Sequence, residues 1–331
     1  MERKILTISI AAYNVGQYLE QTLDSLLVDE KYLSKLEIIV VNDGSKDDTA
    51  DIAKIYEIKY PKIFKVINKE NGGYGSTINT SIQMAQGKYF KQLDGDDWYQ
   101  TKSLQLFIDY LDRCDSDLVI SPFFKVFEDS NKRELVNIHN IADIKQDIEN
   151  IKVETNLSMH ELTIRTKLLK ENNIRITENC FYTDNEYTLY PLLYAYTISK
   201  FSKPVYCYRL GRTGQSVSLE GAKKHYKDTI IVTENIFSYL KNKREILSSN
   251  KGKFFITVKL RNIVDMVYTY YLIMCGQNNT KQELYIFDKK MKKDYFMIYK
   301  ISNSVKKIKI LRITGFLMYD ILANRECRKW K

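Results

Sequence analysis

The sequence predicts an α/β chain: an open, mostly parallel sheet with helices on both faces, followed by a helical segment. Three observations carry this. The first half alternates short β-rich apolar runs with segments of helical period. One of those runs, residues 36–41 (LEIIVV), is apolar almost throughout, as a strand buried on both faces is. From Ala222 onward the strand signals stop and helical stripes with lysine-rich outer faces remain.

In order, residues 5–12 (ILTISIAA) read as a strand. Residues 16–27 read as a helix, with Leu19, Leu23, Leu26 and Leu27 on one face. Residues 36–41 are the second strand and 47–59 the second helix. Strands at 63–67, 88–93 and 117–121 alternate with helices at 75–85 and 101–113. A further strand is expected at 162–165. The β-α-β-α order implies parallel strands with helical crossovers. Such sheets bind ligands beyond the carboxyl ends of their strands, near a switch in strand order. Residues 222–247, 254–275, 281–299 and 304–325 read as helices, with breaks at 248–252, 276–280 and 301–303. A boundary near 220 divides the chain into an α/β domain, 1–220, and a basic helical domain, 221–331.

Composition narrows the function. Hydrophobic residues at 44% and charged residues at 28% are ordinary globular values, which excludes a disordered chain. Five scattered cysteines with no C-x-x-C pair exclude a disulfide framework and a cysteine zinc site, and fit a reducing compartment. Only three histidines are present, which excludes a His-rich metal site. Residues 1–10 contain no signal-peptide core. No stretch reaches the roughly 18 uncharged apolar residues of a membrane span; residues 254–275 are interrupted by Lys259, Arg261 and Asp265. The expected location is cytoplasmic, with peripheral attachment at the inner face of the plasma membrane as one option. The net charge of +10 is localised: residues 251–331 hold 18 Lys and Arg against 6 Asp and Glu, and the remainder holds 33 against 35.

Three strand-end motifs can carry chemistry. Leu93-Asp94-Gly95-Asp96-Asp97-Trp98 puts three carboxylates into four positions after a strand. They repel one another unless a cation neutralises them, and hard oxygens suit Mg2+ or Mn2+ with substrate phosphates. A solvated acidic turn capping the next helix is the alternative. Asn42-Asp43-Gly44-Ser45 ends a buried strand, where an acid hydrogen-bonds a ribose or base, or simply makes a turn. Asn71-Gly72-Gly73-Tyr74-Gly75-Ser76 opens a helix but is neither a dinucleotide fingerprint nor a P-loop, so a plain turn is the default.

Taken together, SIAAYNVGQYLEQTLDSLL, EIIVVNDGSKDDT, NGGYGSTIN and GKYFKQLDGDDW resemble, in content and order, family 2 glycosyltransferases with the GT-A fold. FYTDNE and YRLGRTGQS resemble a subgroup that builds bacterial surface polysaccharides. The resemblance covers roughly residues 5–218. It implies an inverting, metal-dependent transferase that uses a nucleotide-diphosphate sugar, a UDP-sugar, with Mn2+ or Mg2+. It places Ala11, Tyr13 and Asn14 along the nucleobase and Asp43 at the uracil or ribose. Asn71 and Gly73 border the nucleotide, and Asn79 supports that pocket. Asp94 and Asp96, with Gly95 between them, match the metal-binding D-x-D. Asp184 matches the catalytic base. Arg209 and Arg212 approach the leaving diphosphate, with Gln215 and Ser216 beside them. Three positions depart from the family pattern: Ala11 replaces proline, Ile78 an arginine and Thr183 a glutamate, which leaves Glu186 as a rival acid. These departures keep a second reading open, a catalytically inactive partner subunit that binds nucleotide sugar and supports another transferase.

An acceptor site for a glycan or lipid-linked sugar would draw on Trp98, His160 and Glu186. Aspartate followed by an acid in the first turn also suits an ordinary helix start at Asp184, and His160 also reads as a hydrogen-bonded structural residue. The basic helices, with Lys289, Lys290, Lys292, Lys293, Lys306, Lys307, Lys309 and Arg312 beside apolar positions, fit an anionic membrane surface. A solvated face on a packed or dimerising domain is the alternative. No nucleic-acid motif accompanies the charge, so nucleic acid is not the expected partner.

Overall fold

The structure is a computed structural model that describes residues 3–130, 132–212, 218–241, 243, 252–277 and 279–330. The chain begins β1 (Leu6–Ala12), α1 (Gly16–Asp24), α2 (Glu30–Leu33), β2 (Leu36–Asn42), α3 (Thr49–Lys59), β3 (Phe64–Asn68), α4 (Tyr74–Met84) and β4 (Tyr89–Asp94). It continues with β5 (Trp98–Tyr99), α5 (Thr101–Arg113), β6 (Leu118–Ile120), β7 (Phe123–Phe127), β8 (Arg133–Val136), β9 (Gln146–Asp147) and β10 (Leu162–Arg165). Then come α6 (Thr166–Glu171), α7 (Asp184–Leu189), β11 (Thr197–Lys200) and β12 (Tyr206–Leu210). The helical region holds α8 (Leu219–Lys224), α9 (Tyr226–Lys241), α10 (Lys253–Ile273), α11 (Thr280–Asp294), α12 (Phe296–Ser302), α13 (Lys306–Ile313) and α14 (Tyr319–Lys329).

The main sheet runs β3-β2-β1-β4-β10-β6-β11-β9. Its first four strands are parallel, and β10 joins β4 antiparallel. Strand order reverses between β1 and β4, because β2 and β3 extend to one side and β4 starts the other. That is the switch point at which open α/β sheets make their ligand crevice. Both strands point their carboxyl ends there, with Ala11 opposite Asp94 in register. A second sheet, β5-β12-β7-β8, had no counterpart in the sequence reading. It brings β12 against β5, directly after the acidic cluster.

One apolar cluster covers the face of the sheet carrying α1, α3 and α5, with Ile8, Leu23, Ile38, Leu104 and Phe107 fully buried. The opposite face holds Ile78, Phe90, Leu162 and Ile164 in one cluster with Val264, Val267, Leu284 and Leu311. The core therefore does not divide at residue 220; the helical region is built onto the back of the sheet.

Three long helices of the sequence reading are shorter segments. Residues 222–247 break at His225 between α8 and α9, and their end lies outside the described residues. Residues 281–299 break at Tyr295. Residues 304–325 break in a turn where Gly315 (φ 54°) and Phe316 (φ 65°) are left-handed. Phe316 is 4% exposed, and its burial is worth ~2 kcal/mol against ~1 kcal/mol for the left-handed residue. Packing thus overrides a helical stripe. Among the described residues, no helix is long and apolar enough to cross a membrane.

Candidate active site

The crevice begins with the loop after β1. Tyr13 is exposed, and Asn14 adopts φ 51°. The Asn14 amide donates to Ser45 Oγ at 3.0 Å, and its Oδ1 accepts from the Lys46 amide at 2.8 Å. The loops after β1 and β2 are thereby tied together. Asp43, at the end of β2, is turned inward. It accepts from Lys69 Nζ (2.7 Å) and from the amides of Gly72 (2.9 Å) and Gly73 (2.8 Å). Asn71 donates its side-chain amide to the Asp43 carbonyl at 2.9 Å. Gly73 has φ 79°, a conformation glycine adopts without cost. Asp43 therefore organises the Asn71–Gly73 loop, and its carboxylate is filled by the chain's own groups. Asn79 braces a different segment from α4: it donates to the Ile176 carbonyl (2.8 Å) and Glu178 (2.9 Å) and accepts from the Ile176 amide (2.9 Å). That segment leads to Asp184.

The acids after β4 form the floor. Asp94 accepts from Tyr74 Oη at 2.6 Å. Burial, then the neighbouring Asp96 charge, push its carboxyl up to about 7. Asp96 pairs with the Arg212 guanidinium. Asp97 is the most enclosed of the three. It accepts from Tyr206 Oη (2.5 Å) and the Arg209 amide (2.7 Å), and burial followed by Asp96 and Asp94 raises its pKa strongly. Ligand atoms of Asp94, Asp97 and His160 lie within 4.8 Å of one another, a grouping that could hold a cation. His160 stacks on Tyr208 at 4.1 Å and meets Ser158 Oγ at 2.7 Å. Burial, followed by Lys91 and Lys125, pushes its pKa down to about 3, so the ring is neutral at physiological pH and free to act as a ligand.

Asp184 opens α7, just after Tyr182 with φ 62°. Burial raises its pKa, and Lys259 on α10 opposes that rise. Its charge adds to the upward shift of Asp94, after burial and Asp96. Glu186 does not join them, contrary to its reading as an acceptor-site acid. Its oxygens accept from the Thr177 amide (2.6 Å), Thr177 Oγ1 (2.8 Å) and Tyr190 Oη (2.9 Å), which clamps α7 to the preceding loop. Arg209 also departs from expectation. Its guanidinium donates to the Asp96 carbonyl (2.7 Å), Glu128 (3.0 Å) and Gln21 (2.6 Å), and lies over the rings of Tyr18 and Trp98. It is a strut between the second sheet and α1, and Trp98 is its stacking platform. Arg212 is the arginine that reaches the acids. Gln215 and Ser216 lie outside the described residues.

Four residues escaped the sequence reading as site residues: Tyr74, Lys69, Tyr206 and Lys259. Tyr74 stood inside a quoted motif but carried no chemistry of its own there. Lys259 had a signal, a charge within the apolar run 254–260, which was read only as an interruption of a membrane span.

Residues 7–181, more than half of the chain, match the model of "Glycosyl transferase family 2". The chain belongs to that family. Its fold is the GT-A fold. Curated relatives are named as glycosyltransferases: EpsJ of Bacillus subtilis, 30% identical over 62% of this chain and 61% of its own length, and EpsH of the same organism, 36% identical over 40% and 37%. A relative from Mycoplasma pneumoniae is 34% identical over 40% and 43%. The matches thus span about two-fifths to three-fifths of these relatives. Among solved structures, S. aureus TarS 1-349 in complex with UDP aligns at TM-score 0.64 and 19% identity, covering 97% of this chain and 91% of that one. The mannosyltransferase PcManGT from Pyrobaculum calidifontis, in complex with GDP-Man and Mn2+, aligns at 0.51 and 13%, covering 99% and 88%.

Proposed function

We propose that this protein is a glycosyltransferase that moves a sugar from a UDP-sugar to a hydroxyl of a glycan or lipid-linked acceptor, with inversion, in the assembly of a surface polysaccharide. The observation that supports the reading is the crowding of Asp94, Asp96 and Asp97 at the strand-order switch, where Asp94 lies in register with Ala11 and accepts from Tyr74. TarS, which shares the fold, has been solved with UDP and with UDP-GlcNAc, and that favours a uridine donor.

Three crowded acids, Asp96 and Asp97 buried and Asp94 half-buried, whose charges disfavour one another, are a donor set that fits a hard divalent cation. Asp94 and Asp96 would hold Mn2+ or Mg2+, with His160 and Asp97 behind them. When bound, such a cation supplies Lewis-acid neutralisation of the departing diphosphate. The Tyr74 hydroxyl fixes the Asp94 carboxylate, and Arg212 brings a guanidinium to the same mouth. Asp184 takes the acceptor hydroxyl's proton as the new C–O bond forms at the anomeric carbon. The bond to the diphosphate oxygen breaks on the opposite side, so one base suffices and no covalent nucleophile is needed. Release of UDP from UDP-GlcNAc, with a panel of other nucleotide sugars alongside, is the test: Asp184→Asn and Asp96→Asn each lose turnover by about a hundredfold or more. Full activity of Asp184→Asn removes the base assignment.

Ile78 favours a second reading. It is fully buried where many family members carry a donor-side arginine. A non-catalytic partner binds UDP with Mn2+ in calorimetry but releases no UDP from any donor. The basic helices add a place of work: the anionic face of a membrane carrying the acceptor.

A further inference from the structure

A scatter of cysteines that excludes a disulfide framework does not exclude one pair, and the fold makes one. Cys275 lies two residues beyond the end of α10, and Cys327 lies in α14, 52 residues further along the chain. Both are free thiols, and their sulfurs are 3.8 Å apart, in contact. α14 packs against α10, so the helices themselves hold the two together. Cysteines whose backbones stand well apart cannot be bridged, whereas here the sulfurs already meet. Both residues are half-buried, not sealed. A cavity of about 450 Å3, lined by Gly276, Gln277, Thr280, Tyr319 and Asp320, opens at the residue after Cys275 and gives a small oxidant a way in. The other three cysteines stand elsewhere: Cys114 after α5, Cys180 in the loop before α7 and Cys207 on β12.

We propose that Cys275 and Cys327 form a reversible thiol–disulfide site, at which oxidation by a small-molecule disulfide joins them and staples the last helix to α10. One protein thiol, as its thiolate, attacks a sulfur of the small disulfide and releases one small thiol. The second protein thiol then attacks the mixed disulfide and releases the other. Two protein thiols are oxidised, one small disulfide is reduced, and the two protons end on the two small thiols. The staple fixes a wall that reaches the loop before α7. Cys327 and Trp330 pack with Tyr270, Ile273 and Tyr182 in one small apolar cluster. The Tyr270 ring meets Trp330 at 6.4 Å and Tyr182 at 5.4 Å, and Tyr182 is the left-handed residue two before Asp184. The site stands whether or not the chain transfers a sugar.

The experiment exposes the full, folded chain to a buffer of reduced and oxidised glutathione. It is run at pH 8, because burial and then the Cys327 thiol push the Cys275 pKa up. Digestion without reductant and mass spectrometry should find the Cys275 peptide joined to the Cys327 peptide. It should form at a glutathione ratio about tenfold or more too reducing to join them in urea, since a bond that stabilises the fold is favoured by the fold. The joined form should melt roughly 2–6 °C higher and exchange its amide hydrogens more slowly in α14 and in residues 178–183. Dithiothreitol should reverse every change. Cys275→Ser and Cys327→Ser should each show neither the joined peptide nor the shifts. Glutathione on both cysteines with no joined peptide overturns the site. A joined peptide that forms as readily in urea, or that leaves melting and exchange unchanged, overturns the staple.

Discussion

Gly95 sets how closely the acids approach the first strand. Its amide donates to the Ala11 carbonyl at 3.0 Å, and a Cβ there would lie 2.9 Å from that oxygen and 2.9 Å from Val15 Cγ2. Gly95→Ala therefore forces β1 and the acidic turn apart. It should cost ~1–3 kcal/mol in urea unfolding and lower donor turnover as well. The acids themselves predict a pH effect. Asp94 has its pKa raised from 3.8 to about 7, so between those values the folded chain binds more protons than the unfolded one. That contribution to stability is present at low pH and is lost as pH rises toward 7. A divalent cation takes over the same role from the proton. Mn2+ should therefore raise the melting temperature more at pH 8 than at pH 5, and an equal shift at both would remove Asp94 from the metal set. Asp94, Asp96 and Asp184 were singled out in the sequence because acids crowd there or match a family pattern. Lys259 and Tyr74 were not, because what makes them site residues is a neighbour far away in sequence.

The strand-end loops are positioned by elements that the sequence shows well. β1, β2, β4 and α5 fall within a residue or two of their expected bounds, since local apolar period decides them. The second sheet was invisible for the opposite reason. β7 (FFKVF) and β12 (YCYRL) are short, and they pair with each other across some eighty residues of chain. The direction of β10 was equally unreadable, because antiparallel pairing with β4 is a property of topology, not of four residues. The loop before α7 shows what such long-range ties do. Asn79 on α4 holds the Ile176 backbone from both sides, and Glu186 clamps Thr177. These ties aim Asp184 without touching it. Asn79→Ala should lower kcat by about ten- to hundredfold while the Kd for UDP stays unchanged, measured by UDP release and calorimetry. Equal losses in both would place Asn79 at the nucleotide itself.

At the scale of the molecule, the excess positive charge divides once the helices are folded. Arg312 is buried against Asp288, Tyr299 and Asn303, and Lys307 pairs with Asp265 at 2.8 Å, so neither belongs to the surface. Lys289, Lys292, Lys293, Lys300, Lys306, Lys309, Arg325 and Arg328 remain exposed. Beside them stand apolar side chains that packing leaves out: Ile313 at 74% exposure, Leu317 at 82% and Ile321 at 60%, around the left-handed turn at Gly315 and Phe316. An isolated exposed leucine needs no explanation, but three at one helical corner flanked by lysines suit a bilayer surface. Each lysine near anionic lipid contributes ~1 kcal/mol, and each inserted aliphatic side chain adds a comparable amount. Deleting residues 280–331 is the wrong test, because Leu284 and Leu311 belong to the core shared with the sheet. Leu317→Glu combined with Ile313→Glu changes only exposed positions and leaves that core covered. The intact chain should float with liposomes of phosphatidylglycerol and phosphatidylethanolamine, should not float with phosphatidylcholine alone, and should lose binding as salt rises. The double substitution should abolish flotation with no change in UDP release from a soluble donor. Equal flotation of both forms would mean that the corner never enters the bilayer, and a change in elution volume instead would assign it to a second copy of the chain.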